Sequence, residues 1–550
     1  MHWLALSMSG SISNFDITGT MWIVSILFLL GMKSMWIHWM WGFLMGAFFL
    51  AFMGKWVRRS GVMTGAEWMA TRFGSGRDGV IARTAYAVMA VITQASFIGY
   101  AFQGIGKFAS VYVGFSPTAC AIVIIGVTTL YVLLGGLYSV VLTDVIQTVV
   151  LTLASVIIAV VAFSQLTPDM LNKVLPGGWT SLAPRWRLAE LASTENAGYE
   201  IFGALVIVWV LKGLLLNAGG PAQMYDFQRF LAARDPRDAA KVGAAWSVFL
   251  IVRWAMAIGI ALLALTGVTG VTDSEKVMPL VLLQFLPDGL RGVVIAGLLA
   301  AFMSTFSSTV NSGASFIVRD LWQPYLRPNA DEKQSVRFSY IATILLVLIG
   351  LGIGTQATSV AQIWSWMMMA LGAGVVVPNV LRWYWWRMNG WGYAFGTLGG
   401  ILLSLVALFF PDAPAYYTFP LICAASLIAS IVVSMTTQAT DENILVSFYK
   451  SVRPFGLWKP ITAKAGLSVK EFSPKSERMP LTIVNVLLAM LAITGLYLFP
   501  MYLVGRWYLY SAIWLGLAIA AIFALKYTWY QFLPLPGNHE NEDKHKEFDL

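Results

Sequence analysis

The chain has 550 residues, of which 58% are hydrophobic and only 11% charged. With a mean hydropathy of +0.72, this composition excludes a soluble globular protein and describes a polytopic membrane protein. The net charge of +9 fits basic loops on one side of a bilayer rather than a nucleic-acid partner.

Apolar runs long enough to cross a bilayer fall at about 3–20, 35–57, 81–111, 117–140, 142–165, 200–224, 242–268, 292–318, 336–356, 358–381, 391–411, 416–436, 480–500 and 507–527. The N-terminus lacks a basic region ahead of an apolar run, so no cleavable signal peptide is expected. The 23 tryptophans suit interfacial belts and an aromatic-lined cavity. Cys120 and Cys423 both lie in apolar runs and imply neither a disulfide framework nor a metal site.

Every second connection is basic. Lys55, Arg58, Arg59, Arg72 and Arg77 follow the second span, and Arg229, Arg234, Arg237 and Lys241 the sixth. Arg319, Arg327, Lys333 and Arg337 follow the eighth, Arg382 and Arg387 the tenth, and the 437–479 loop carries seven more. These connections face the cytoplasm under the positive-inside rule, which places both termini inside a cell (inner or plasma) membrane. The polar tail 531–550 is expected to be disordered.

Two spans are interrupted. The first reads SMSGSISNFDITG at 7–19, and the sixth reads LNAGGPAQ at 216–223. Five spans apart, they enter from opposite sides, and Gly/Pro-broken helices at matching positions of inverted halves point to a secondary-transporter site. Glycine is common in membrane helices, so one such break alone would carry little weight. The eighth span, RGVVIAGLLAAFMSTFSSTVNSGASFIVRDLW at 291–322, adds a further signal. In a helix, Ala301, Ser304, Thr305, Ser308 and Ser312 share one face, a ladder of hydroxyl oxygens. Neutral oxygens can replace the hydration shell of a hard cation. They also serve helix packing in membranes, and on this stretch alone packing is the preferred reading. Together with the two breaks, the ladder favours transport.

Asp16, Asp144 and Lys212 are charges inside spans, where function is the default reading. Asp144 follows GGLYSVVLT, read as a tight turn into the fifth span, and Lys212 could pair with Asp16. His38, in MWIHWMW, is equally a packing residue or a solute contact.

GGLYSVVLTDVIQ at 135–147, AAFMSTFSSTVNSGASFIVRDLW at 300–322, DFQRFLAARDPRDAAK at 226–241 and RSGVMTGAEWMATRFG at 59–74 resemble segments of the sodium:solute symporter family. The resemblance runs from about Leu4 to Trp386. It implies an all-α polytopic membrane protein with the leucine-transporter fold: two inverted five-helix repeats, here 1–165 and 200–387. The repeats are separated by an external (extracellular or periplasmic) loop at 166–199. About four additional helices follow in 388–530, with a cytoplasmic loop at 437–479. It further implies a Na+ ion held by the carbonyls of Ser9, Ile12 and Ala301 and the hydroxyls of Ser304 and Thr305. Asp144, Ser307 and Ser308 match the positions of a second sodium in some members. The helix that usually precedes the core has no counterpart here. Where sugar-binding members carry Glu on the second helix and Gln at the end of the first, this chain has His38 and Asp16, so the solute is not inherited.

The leading expectation is a sodium-coupled symporter of a small polar solute, working by alternating access. Its pocket is expected where the two broken helices face each other, drawn from Asp16, His38, Trp39, Lys212, Asn217 and Gln223. Hydrogen-bonding groups beside Trp39 favour a sugar-like solute, with an amino acid or other organic solute as runner-up. A transporter-like sensor is the other alternative, weakened by the lack of a signalling domain after 527. An enzyme is not expected, because no H-E-x-x-H, phosphate loop or acid-base cluster occurs. The partners expected are the solute, sodium and the lipid bilayer.

Overall fold

The computed structural model describes the chain except residues 1, 39–41, 62–64, 193–195, 221–225, 269, 411–412, 467–477 and 534–550, and except the side chains of 42–44, 134–145 and 226–228. Trp39, Gln223, the Asp144 side chain and most of the tail therefore lie outside the described residues. Among the described residues the fold is helical, with one isolated bridge between Trp385 and Leu457 and no strand. Among the described residues eleven helices are long and apolar enough to cross a membrane, and Pro117–Leu133 and Phe202–Ala218 are shorter apolar helices.

The first span differs from its expected bounds. It consists of α1 (Trp3–Ser13) and α2 (Ile17–Leu30), so it reaches residue 30 rather than 20. At the end of α1, Ser13 Oγ and Asn14 Nδ2 both donate to the Gly10 carbonyl, at 2.8 and 3.1 Å. Side chains that bond local backbone this way compete with the helical ladder. Asp16 then starts α2 as its N-cap, its Oδ2 accepting from the Gly19 amide at 2.8 Å. Gly31, at φ 68°, ends α2 in a conformation that favours glycine. The chain continues through the short helix α3 (Met35–His38).

Helix α4 (Arg77–Val113) leads to α5 (Pro117–Gln165). Here the structure corrects the expected turn between two spans, since the backbone is helical for 49 residues through Gly135 and Gly136. Each glycine disfavours a helix by only about 1 kcal/mol, and no proline interrupts the run. Helix α6 (Phe202–Ala218) stops at Gly219, and Gly220 has φ 116°. This is the second expected break. Helices α7 (Pro236–Phe249), α8 (Ile251–Gly267), α9 (Asp288–Ser315) and α10 (Glu332–Gln356) follow. The next span, Val360–Tyr384, contains a π-helical segment at Trp366–Leu371.

Burial separates centre from periphery. Ile17–His38 is almost wholly buried, whereas Glu332–Gln356 and Tyr508–Phe532 are mostly exposed. Their outward residues, such as Leu345, Leu348 and Phe523, are the aliphatic and aromatic face a bilayer would cover. The small face of α1 lets α7 approach closely: Ser11 Oγ donates to the Trp246 carbonyl at 2.7 Å. A Cβ added at Gly10 would come within 2.1 Å of the Trp246 ring.

Candidate functional site

The broken first span opens onto a cavity between the central helices. Asn14, Asp16, Thr18 and Gly19 line it from the break, His38 from α3, Tyr100 from α4, Arg253 and Trp254 from α8, and Thr305 from α9. Trp22 and Trp364 form an aromatic wall, with ring centroids 5.3 Å apart.

Arg253 holds this break together. Its Nη1 donates to the Asn14 carbonyl at 2.6 Å and its Nε to Thr20 Oγ1 at 3.2 Å. Its Nη2 lies 3.5 Å from Asp16 Oδ1. Irregular backbone inside a bilayer leaves carbonyls without helical partners, and this guanidinium supplies the missing donors. The Asp16 partner seen among the described residues is therefore Arg253, not the expected Lys212. Asp16, Arg253 and the Tyr100 hydroxyl converge on Gly19, where a Cβ would meet all three within 2.9 Å.

His38 is fully buried. Its ring sits edge-on to Trp22, with centroids 4.8 Å apart, and 5.6 Å from Trp254. Neither ring nitrogen has a hydrogen-bond partner among the described residues, and neither does the buried Thr18 hydroxyl. Buried polar groups are normally satisfied. Both residues line the cavity, and the Thr18 side chain packs against Gly104, so it is the His38 ring that leaves hydrogen-bonding capacity unused at the cavity wall.

Among the described residues the second break does not line that cavity. The break after α6 faces a second one, lined by Lys212, Leu216 and Gly219. Lys212 Nζ lies 3.1 Å from the Met368 sulfur and 5.4 Å from the Trp209 ring centroid. Asn217 lines neither cavity, and its Nδ2 donates to the Gly213 carbonyl at 2.8 Å. This break too is capped by side chains: Trp383 Nε1 and Arg382 Nη2 reach the Gly219 carbonyl at 3.0 and 3.4 Å.

The expected sodium ligands lie on α1 and α9, and these helices touch. Thr305 Oγ1 donates to the carbonyls of Ser13 and Ala301, at 3.1 and 3.2 Å. Ser304 and Ser307 are buried, and Ser307 Oγ donates to the Ser304 carbonyl at 3.1 Å. The α1 carbonyl facing Thr305 is that of Ser13, one residue beyond the expected Ile12. The Ile12 carbonyl accepts from the Phe15 amide at 2.9 Å. No group of three or more His, Cys, Asp or Glu residues suited to a metal occurs among the described residues. The donors at this contact are neutral oxygens, the set that suits an alkali cation.

Comparison with known proteins decides the family. The sodium:solute symporter family profile matches residues 1–400. The chain belongs to that family. Among its relatives is the osmoregulated proline transporter OpuE of Bacillus subtilis, 26% identical over 324 residues, covering 57% of this chain and 62% of the relative. Another is the sodium/myo-inositol cotransporter 2 of Bos taurus, 27% identical over 398 residues, covering 63% of this chain and 55% of the relative. The matched part thus spans less than two thirds of these relatives' length. A solved Na+-coupled sialic acid symporter, in a substrate-bound outward-open state, aligns with a TM-score of 0.60 at 15% identity. It covers 80% of this chain and 91% of its own. That likeness shows the fold, the leucine-transporter arrangement of this symporter family.

Sequence reasoning missed Arg253, although it stands in the seventh span, within LIVRWAMAIG. The rule that singled out Lys212 also applies to it. Trp22, Tyr100, Trp254 and Trp364 carried no such signal, because aromatic residues occur throughout the chain.

Proposed function

We propose that this symporter couples sodium entry to uptake of a small, polar, neutral solute, with a polyhydroxylated ring favoured. The observation that carries the reading is the unsatisfied hydrogen-bonding capacity of His38 in a cavity walled by tryptophans. Indole faces suit the apolar face of a sugar-like ring, and the His38 ring nitrogens suit its hydroxyls. Asp16 and Arg253 offset each other's charge, so the cavity offers no net charge to an ionised solute.

We take the sodium ion to lie at the α1–α9 contact, between the backbone carbonyls of Ser9, Ile12 and Ala301 and the hydroxyls of Ser304 and Thr305. The Thr305–Ser13 contact at 3.1 Å supports this placement. A second ion beside Asp144, Ser307 and Ser308 belongs to the same proposal. So does the division into repeats 1–165 and 200–387. Alternating access would then rock one repeat against the other around the breaks.

An amino-acid solute is the second reading. The Asp16–Arg253 contact is long, at 3.5 Å, so a zwitterion could insert with its carboxylate on Arg253 and its amine on Asp16. Uptake into proteoliposomes under a sodium gradient, with myo-inositol, hexoses and proline as solutes, separates the readings. Sodium-driven accumulation of a polyol or hexose supports the first, and accumulation of proline alone supports the second. Sodium-dependent solute binding with no uptake would make the protein a sensor and overturn both.

A further inference from the structure

We propose that the second cavity is an anion site, distinct from the solute cavity, that takes a small monocarboxylate with an apolar body. Phe97 is a wall common to the two cavities. The polar part of the second is built from Lys212, Arg382 and Asn379 with Thr93 and Tyr86, and its lining includes no carboxylate among the described residues. The rest is apolar and soft, with Met367, Met368 and Val375 along one helical run.

Arg382 makes the strongest case. It is 2% exposed, yet among the described residues it forms no ion pair with a carboxylate and its Nε has no hydrogen-bond partner. Its terminal nitrogens make long contacts, 3.4 Å to the Gly219 carbonyl and 3.7 Å to the Met69 sulfur. Its plane lies over the Trp68 and Tyr86 rings, at 4.6 and 5.5 Å. A guanidinium carries five donors in a fork that matches a carboxylate. A buried cation is costly without a counter-charge. Lys212 adds a second hydrogen-bond donor on the same cavity. The methionine and valine wall then gives an apolar body somewhere to lie, which a bare inorganic anion would not use.

The test uses the full chain in lipid nanodiscs and reads thermal unfolding at fixed sodium, with benzoate as probe and chloride and sulfate as comparison. A saturable upward shift with benzoate, larger than with chloride or sulfate at equal concentration, is expected. Lys212→Met should raise the benzoate concentration for half-maximal shift at least tenfold. Met368→Phe, which fills the apolar end and keeps Lys212 and Arg382, should also weaken the response. A sodium-dependent shift in each variant reports that it is folded, and either folded variant suffices as a test. The proposal is overturned if benzoate gives no saturable shift. It is also overturned if chloride or sulfate matches benzoate, or if every folded variant responds to benzoate as the parent does.

Discussion

At the scale of single residues, the cavity depends on pairs whose halves cost more apart than together. Removing Arg253 leaves the Asp16 carboxylate buried without the guanidinium that faces it at 3.5 Å. Breaking one side of a buried ion pair costs about 3–5 kcal/mol, more than replacing both sides. Arg253→Met should therefore lower thermal stability markedly, and Asp16→Asn in the same chain should restore part of it. A double variant no more stable than Arg253→Met would show that the pair is not coupled. His38 is a different case, because its nitrogens have no protein partner among the described residues to lose. His38→Ala should weaken solute affinity by roughly tenfold to a hundredfold at saturating sodium, while stabilisation by sodium persists. Normal transport by this variant would make the histidine a packing residue. For the ion, Ser304→Ala and Thr305→Ala each remove one hydroxyl oxygen. Each should weaken apparent sodium affinity by about tenfold, the loss of one oxygen contact of about 1–1.5 kcal/mol. Because ion and solute affinities are linked reciprocally, solute affinity in sodium should fall too, and without sodium it should hardly change. An unaltered sodium dependence in the double variant would remove the site from the α1–α9 contact.

Secondary structure elements show what could be read from the sequence and what could not. The two breaks were visible because glycine, proline and cap-forming residues interrupt otherwise apolar runs. Their partners were not visible, because contacts from residue 14 to 253, or from 219 to 382, depend on packing and leave no periodic trace. Among the described residues the two breaks line different cavities, and nothing in the sequence signalled that, because the distance between two helix breaks follows from how the bundle packs. The extent of α2 was missed because Gly31 ends it only through its positive φ, 68°. Glu275 is another contact that needed three dimensions. Its carboxylate accepts from the amides of Val360 and Ala361, at 3.0 and 2.7 Å, and pairs with Lys107 at 2.6 Å. It caps a helix 85 residues downstream and ties α4 to the Val360–Tyr384 span. Glu275→Ala leaves those amides without their acceptor and Lys107 with Asp273 alone, at 3.1 Å, so a loss of roughly 3 kcal/mol is expected in chemical unfolding. Unchanged stability would show that water replaces the carboxylate without penalty. Gly10→Ala should separate α1 from α7, and Trp246→Leu in the same chain should relieve the clash.

For the whole molecule, the basic connections predict an orientation with the 437–479 loop inside, which labelling can check. In a chain with Cys120 and Cys423 replaced, a cysteine at the exposed position Ser451 should resist a membrane-impermeant maleimide added outside intact cells, and react after permeabilisation. Strong labelling of intact cells would invert the orientation. The two arginine-capped breaks have a kinetic meaning on this scale. A carrier that delivers its cargo must travel back unloaded, and that journey is slow if departing cargo strips partners from the backbone. Here the exposed helix ends are bonded by the protein's own side chains, at Asn14 through Arg253 and at Gly219 through Arg382 and Trp383. Under the alternating-access proposal, an empty carrier would begin its return with those carbonyls already satisfied and would need no cargo to hold its bent helices in shape.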